Sequence, residues 1–128
     1  MVKEVVKSEA VNYLRQADEF LDSARDNLAK SRLNAAGFDA IQAMINANDA
    51  LTIYFLEKRA SRDHKEAVRL HVDVIRVIND NSCRDILKEA LDMRSAVGYL
   101  GSQIGKDRAE RLIGSAIKFV GWVKKYVK

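Results

Sequence analysis

Val6, Ala10, Tyr13, Ala17, Leu21, Ala24 and Leu28 recur every three or four positions. That spacing follows the 3.6-residue turn of an α-helix, so the segment from about Lys3 to Lys30 predicts one long helix with a single apolar stripe. The same period returns down the chain, and no proline occurs among its 128 residues. Proline removes a backbone donor and breaks helix interiors, so its absence favours helices joined by short connections.

Asn34 is a candidate cap for a second helix reaching about Lys58. This helix carries two neighbouring stripes, Ala40, Met44, Ala47, Leu51 and Tyr54 beside Ile41, Ile45, Thr52 and Phe55. Two stripes mean burial over a wide arc, as at the centre of a bundle, leaving Asp39, Gln42, Asn46 and Asp49 for a solvated face. Residues Arg59 to Asp63 read as a connection. A shorter helix is expected over His64 to Ile78, closed by the turn signal Asn79-Asp80-Asn81. Ser82-Cys83-Arg84-Asp85 has the form of a capping box before a helix with Ile86, Ala90, Met93, Val97 and Leu100 inward. Gly101 to Gly105 breaks it. A last helix from about Lys106 to Lys128 turns Ala109, Leu112, Ala116, Val120, Val123 and Val127 inward. No strand-like alternation stands out. The fold class expected is all-α: an antiparallel four-helix up-and-down bundle with one additional short helix, as a single domain over residues 1–128.

The charge balance bounds the function. A net charge of +4 and a pI near 9.3 permit contact with nucleic acid without demanding it. The densest basic region is Lys58, Arg59, Arg62, Lys65, Arg69 and Arg76, but Glu57, Asp63, Glu66 and Asp73 interleave with it, so it reads as a salt-bridged surface. Cys83 is the only cysteine, which excludes an internal disulfide, and no apolar leader segment follows Met1. Leu112 to Val123 is too short to span a bilayer. These features point to a cytoplasmic chain with no membrane partner. Gly98, Gly101 and Gly105 lack the strand and the Gly-Lys-Ser/Thr run of a phosphate loop. His64 and His71, without a third ligand at a suitable spacing, do not make a metal site. No cofactor is expected.

Four groups of residues carry candidate chemistry. Arg94, flanked by Met93 and Val97, offers a planar, permanently charged fork for phosphate; the alternative is an ion pair with Asp49 or Asp39. Asn48 falls in register with Ile41, Ile45, Thr52 and Phe55, so its amide is expected to be buried and to need a partner. Tyr99 stands five positions beyond Arg94, roughly 140° around a helix, where it serves as a packed aromatic or as a phosphate or base contact. Phe119, Trp122 and Tyr126 step by three and four along the last helix, an aromatic strip beside its inward stripe that is a candidate partner or dimer surface.

Taken in order, Tyr13-Leu14-Arg15-Gln16-Ala17 in a long first helix, the alanine-rich Ala35-Ala36-Gly37-Phe38-Asp39-Ala40, His64 opening a helix after a basic loop, and Arg94-Ser95-Ala96-Val97-Gly98-Tyr99 resemble the HEPN domain family. The resemblance covers nearly the whole chain and rests on the order of motifs that are individually weak. It implies a helical bundle that pairs as a homodimer, and a role linked to nucleotides or RNA. Many HEPN domains are partners of a minimal nucleotidyltransferase in two-component, toxin-antitoxin-like systems. Others are metal-independent RNases with an arginine, four to six residues and then a histidine on the fourth helix.

The resemblance also implies that polar residues of the second helix, here Asn48 or Asp49, face the fourth-helix arginine, here Arg94. The sequence departs from the RNase motif. With four residues intervening after Arg94 the histidine's place is taken by Tyr99, with six intervening it is taken by Gly101, and no histidine follows His71. A tyrosine with a pKa of about 10 exchanges protons poorly at neutral pH, so a binding module is expected in preference to an enzyme. The rival readings are an RNase with a degenerate motif, using Arg94 with Tyr99 or His64, and a purely structural dimerisation scaffold.

Overall fold

A computed structural model describes residues 2–61, 63–98 and 103–128, with the side chains of residues 95–98 left aside. The order of elements is β1 (Val2–Glu4), a 3₁₀ turn (Lys7–Glu9), α1 (Ala10–Ala29), α2 (Leu33–Leu56), β2 (Lys58–Ala60), α3 (His64–Ile78), α4 (Arg84–Gly98) and α5 (Lys106–Tyr126). The fold is an all-α helical bundle.

α2 is its axis. It touches each of the other four helices, and its side chains are buried almost all round, as the double stripe requires. Ala36, Ala40, Ala43, Ala47 and Ala50 are each fully buried. Small side chains at these positions let neighbouring helices approach the α2 backbone closely, while Met44, Leu51 and Ile53 fill the space between. α1 and α2 are joined by Lys30–Arg32, where Ser31 takes a left-handed conformation (φ 58°) and reverses the chain. Asn79, also left-handed (φ 56°), ends α3 at the expected turn.

Several expectations need correction. The first helix does not begin near Lys3. Residues 2–4 instead pair antiparallel with residues 58–60, Lys3 opposite Arg59, and Val5 N–H extends the pairing to Glu57 O at 3.0 Å. The segment read as a plain connection therefore contains a strand. Asn34 lies inside α2, whose cap position is Arg32. Its Oδ1 accepts from Ile104 N–H at 2.8 Å, which ties the approach to α5 onto the start of α2. Ser82 and Asp85 do not form the anticipated box. Ser82 is held by Asp80, whose Oδ1 accepts from both its N–H (3.1 Å) and its hydroxyl (2.7 Å). Among the described residues no helix is long and apolar enough to cross a membrane.

Candidate functional site

The β2–α3 connection decides where His64 stands. Asp63 is extended (φ −102°, ψ 118°) and its side chain accepts from Lys65 N–H at 2.8 Å, so the helix is capped at Asp63 and His64 becomes its first residue. Its ring meets Arg94 of α4, with Nη1 3.3 Å from Nε2 of His64. A guanidinium only donates, so Nε2 of His64 is the acceptor in this contact. His64 thus orients the arginine.

Asp49 of α2 lines the same small cavity as His64, Arg94, Ser61, Asp63 and Leu91. The cavity measures about 60 Å³, room for a few waters or one small group such as a phosphoryl, and far too little for a nucleobase. Asp49 is buried, and removal from water pushes its carboxyl up from 3.8 to about 7, the Arg59 guanidinium opposing the shift. A carboxyl of this kind exchanges a proton near neutrality. As the acid it donates a hydrogen bond to an anion; as the carboxylate it repels one.

The residues predicted from sequence separate into three groups. Arg94 and Asp49 share the cavity. Asn48 does not line it: its Oδ1 lies 2.9 Å from Nδ1 of His71 and its Nδ2 donates to Ala67 O at 3.3 Å, because the next residue on a helix points about 100° away. Tyr99 lies outside the described residues. Asp39, the other acid weighed as a partner for Arg94, accepts from Ser23 Oγ (2.6 Å) and Asn27 Nδ2 (2.9 Å) of α1. Gln42 donates to Asn46, which donates to Gln16, so Asp39, Gln42 and Asn46 of the face assigned to solvent form a hydrogen-bonded seam between α2 and α1.

The aromatic strip is also corrected. Phe119 is fully buried and Trp122 nearly so, and both rings pack against His71 of α3 with centroids 5.9 and 5.5 Å away. Trp122 Nε1 donates to Asp80 Oδ2 at 2.8 Å, and the Tyr126 hydroxyl donates to the same oxygen at 2.5 Å. These bonds, with those from Ser82, hold the Asp80 carboxyl well below the usual carboxylate range. Phe119 and Trp122 are interior structure within one chain, not an exposed docking face, and Tyr126 is partly buried beside them.

Sequence reasoning missed two features. His71 is the fully buried hub of this cluster, and its spacing from Ala67 and Val74 on the inward stripe was a signal for that. The approach of His64 to Arg94 across 30 positions left no local signal. Cys83 is buried, and burial pushes its thiol up, consistent with a packing role. Among the described residues no three His, Cys, Asp or Glu side chains gather as metal ligands.

No curated protein matches this sequence. The model of the HEPN domain family matches residues 10–126, from the first residue of α1 to the last of α5. With nearly the whole chain matched, and with an all-α helical bundle, the chain belongs to the HEPN domain family.

Proposed function

We propose that this HEPN domain is a binding module that takes a phosphate group of RNA or of a nucleotide at Arg94, acting as a homodimer beside a minimal nucleotidyltransferase in a two-component system. The observation that carries the phosphate site is the shared cavity: an oriented guanidinium, an imidazole and a carboxyl poised near neutrality line a space of phosphoryl size. Arginine forks match phosphate geometry and keep their charge at every physiological pH. Membership of the family supports the dimer and the partner. The test is Arg94→Ala, with folding checked by circular dichroism and affinity for a short oligoribonucleotide measured by calorimetry. Loss of a charge-assisted contact of about 1.5–3 kcal/mol weakens binding by at least about tenfold. Unchanged affinity for RNA, nucleotide and partner overturns the reading.

Asp49 favours a second reading, a metal-independent RNase. A carboxyl with a pKa of about 7 is matched to proton transfer at neutral pH. As the base it would take the proton of a ribose 2′-hydroxyl while that oxygen attacks phosphorus and the P–O5′ bond breaks, the departing 5′-oxygen taking a proton from water, with Arg94 meeting the charge that develops on the phosphoryl oxygens. Cleavage of RNA in EDTA that disappears in both Arg94→Ala and Asp49→Asn supports this reading. No cleavage at high protein concentration rejects it.

A further inference from the structure

A second cavity, of about 300 Å³, lies between α3 and α4 and is lined by His64, Lys65, Val68, Lys88, Leu91 and Asp92. His64 and Leu91 line the Arg94 cavity as well, so the two spaces share a wall. Their sizes differ in kind. The inner one admits a phosphoryl group, whereas the outer one reaches the lower end of the range of clefts that hold small organic molecules. Its surface is divided too. Val68 and Leu91 supply apolar side chains and His64 an aromatic ring, against which a flat base can lie with little dependence on which base it is. Lys65 and Lys88 stand exposed, one on each bounding helix. Lys88 is paired with Asp92 at 3.4 Å, but both side chains are more than half exposed, and such a pair is readily exchanged for a stronger anion.

We propose that this α3–α4 groove receives the nucleoside that follows the phosphate held at Arg94, and that Lys65 and Lys88 engage the next phosphate, so that the site reads a phosphate–nucleoside–phosphate unit of single-stranded RNA. The proposal rests on the reading of Arg94 as a phosphate ligand. It adds the polarity of the site: a small cavity sized for a phosphate at one end, a larger groove flanked by two exposed ammonium groups at the other. A nucleoside monophosphate fills only part of it, because it brings no second phosphate to the lysines.

The experiment is an NMR titration of the full chain with inorganic phosphate, UMP and the 5′-phosphorylated dinucleotide pUpU, following the His64 ring and the Val68 methyl groups. Phosphate is expected to shift His64 alone. UMP and pUpU shift both residues, with nuclear Overhauser contacts between uracil and Val68. The double charge reversal Lys65→Glu/Lys88→Glu, at two exposed positions, weakens pUpU by about tenfold or more, and UMP by much less. Reversing Lys118 and Lys125 on α5 serves as the control for general charge and leaves pUpU binding within about twofold. If pUpU leaves the Val68 methyl groups unmoved, or if the Lys65/Lys88 and control variants behave alike while Arg94→Ala still weakens binding, the groove assignment fails and the phosphate site stands. If Arg94→Ala has no effect, or none of the three ligands binds, both readings fall together.

Discussion

Oδ1 of Asn48 lies 2.9 Å from Nδ1 of His71 in the interior of the bundle. Because the amide nitrogen of Asn48 donates to Ala67 O, its oxygen is the atom facing the imidazole, and the proton of His71 must be on Nδ1. The buried Nε2 has no hydrogen-bond partner among the described residues. Asn48 therefore joins α2 to α3 by two hydrogen bonds, and the one to His71 lies where Phe119 and Trp122 of α5 also converge.

Breaking that bond from one side should cost more than removing it altogether. Asn48→Leu leaves the Nδ1–H of His71 without an acceptor, a loss of about 1–3 kcal/mol. His71→Leu strands the Asn48 oxygen at similar cost. In the double variant neither polar group is left, and the coupling energy from urea denaturation should exceed about 0.5 kcal/mol. Additive losses would mean that the two side chains do not interact.

The pH dependence of stability has two opposed parts. Burial lowers the pKa of His71 from 6.5 to about 4, the Arg84 charge adding to the shift. The neutral form is favoured on folding, so its contribution is intact above pH 6.5 and is lost as pH falls toward 4, roughly 3 kcal/mol in all. Asp49 runs the other way. Its pKa rises from 3.8 to about 7, so stability is intact below 3.8 and declines as pH climbs through 7, by roughly 4 kcal/mol. Between pH 4 and 6.5 the slopes largely cancel. Asp49→Asn should expose the His71 limb, with stability rising over that interval, and should exceed the parent protein in stability at pH 8. His71→Leu should expose the falling limb. Denaturant midpoints collected from pH 4 to 8 decide it, and parallel profiles for all three proteins would reject both assignments.

The same carboxyl should tune ligand binding. A phosphodiester oligonucleotide keeps its charge across this range, so any pH dependence belongs to the protein. As pH falls through about 7, Asp49 changes from a repelling carboxylate to a hydrogen-bond donor. Affinity should therefore rise by about tenfold from pH 8 to pH 6, the scale of one charge-assisted contact. Asp49→Asn, which is neutral at both values, should bind with nearly equal affinity at each. A variant as pH-sensitive as the parent would place the titrating group elsewhere.

Phe119 and Trp122 should report on the core and not on assembly. Phe119→Ala removes a fully buried ring and is expected to cost about 3–5 kcal/mol of folding stability. Trp122→Phe keeps most of the packing but deprives Asp80 of its Nε1 donor, so a lower Tm is expected. Sedimentation at temperatures where the variants stay folded should show the parent's oligomeric state. Dissociation without loss of stability would restore the strip as an interface.

Much of the helical plan was written in short-range spacing. The bounds of α3, the turn at Asn79, the wide burial of α2 and the start of α5 follow from apolar periodicity and turn residues, because helix formation depends on neighbours three and four positions apart. Burial of Asn48 followed from its register. Arg94 was singled out by its residue type and by its place in the HEPN-like order of motifs.

What spacing cannot supply is the identity of partners brought together from distant positions. The pairing of residues 2–4 with 58–60 involves strands of three residues, too short to show alternation. The Asn34–Ile104 bond, the engagement of Asp80 by Trp122 and Tyr126, and the meeting of His64 with Arg94 join positions between 30 and 70 residues apart. The aromatic strip shows the limit most clearly. Phe119 and Trp122 had the spacing of a continuous apolar face, but a stripe on one helix does not say whether another chain covers it or α3 does. The sequence by itself determined that this protein is a bundle of helices and which side of each helix is apolar. Only the tertiary structure decided what covers each face and which polar side chains share a cavity, because packing joins residues that the chain keeps far apart.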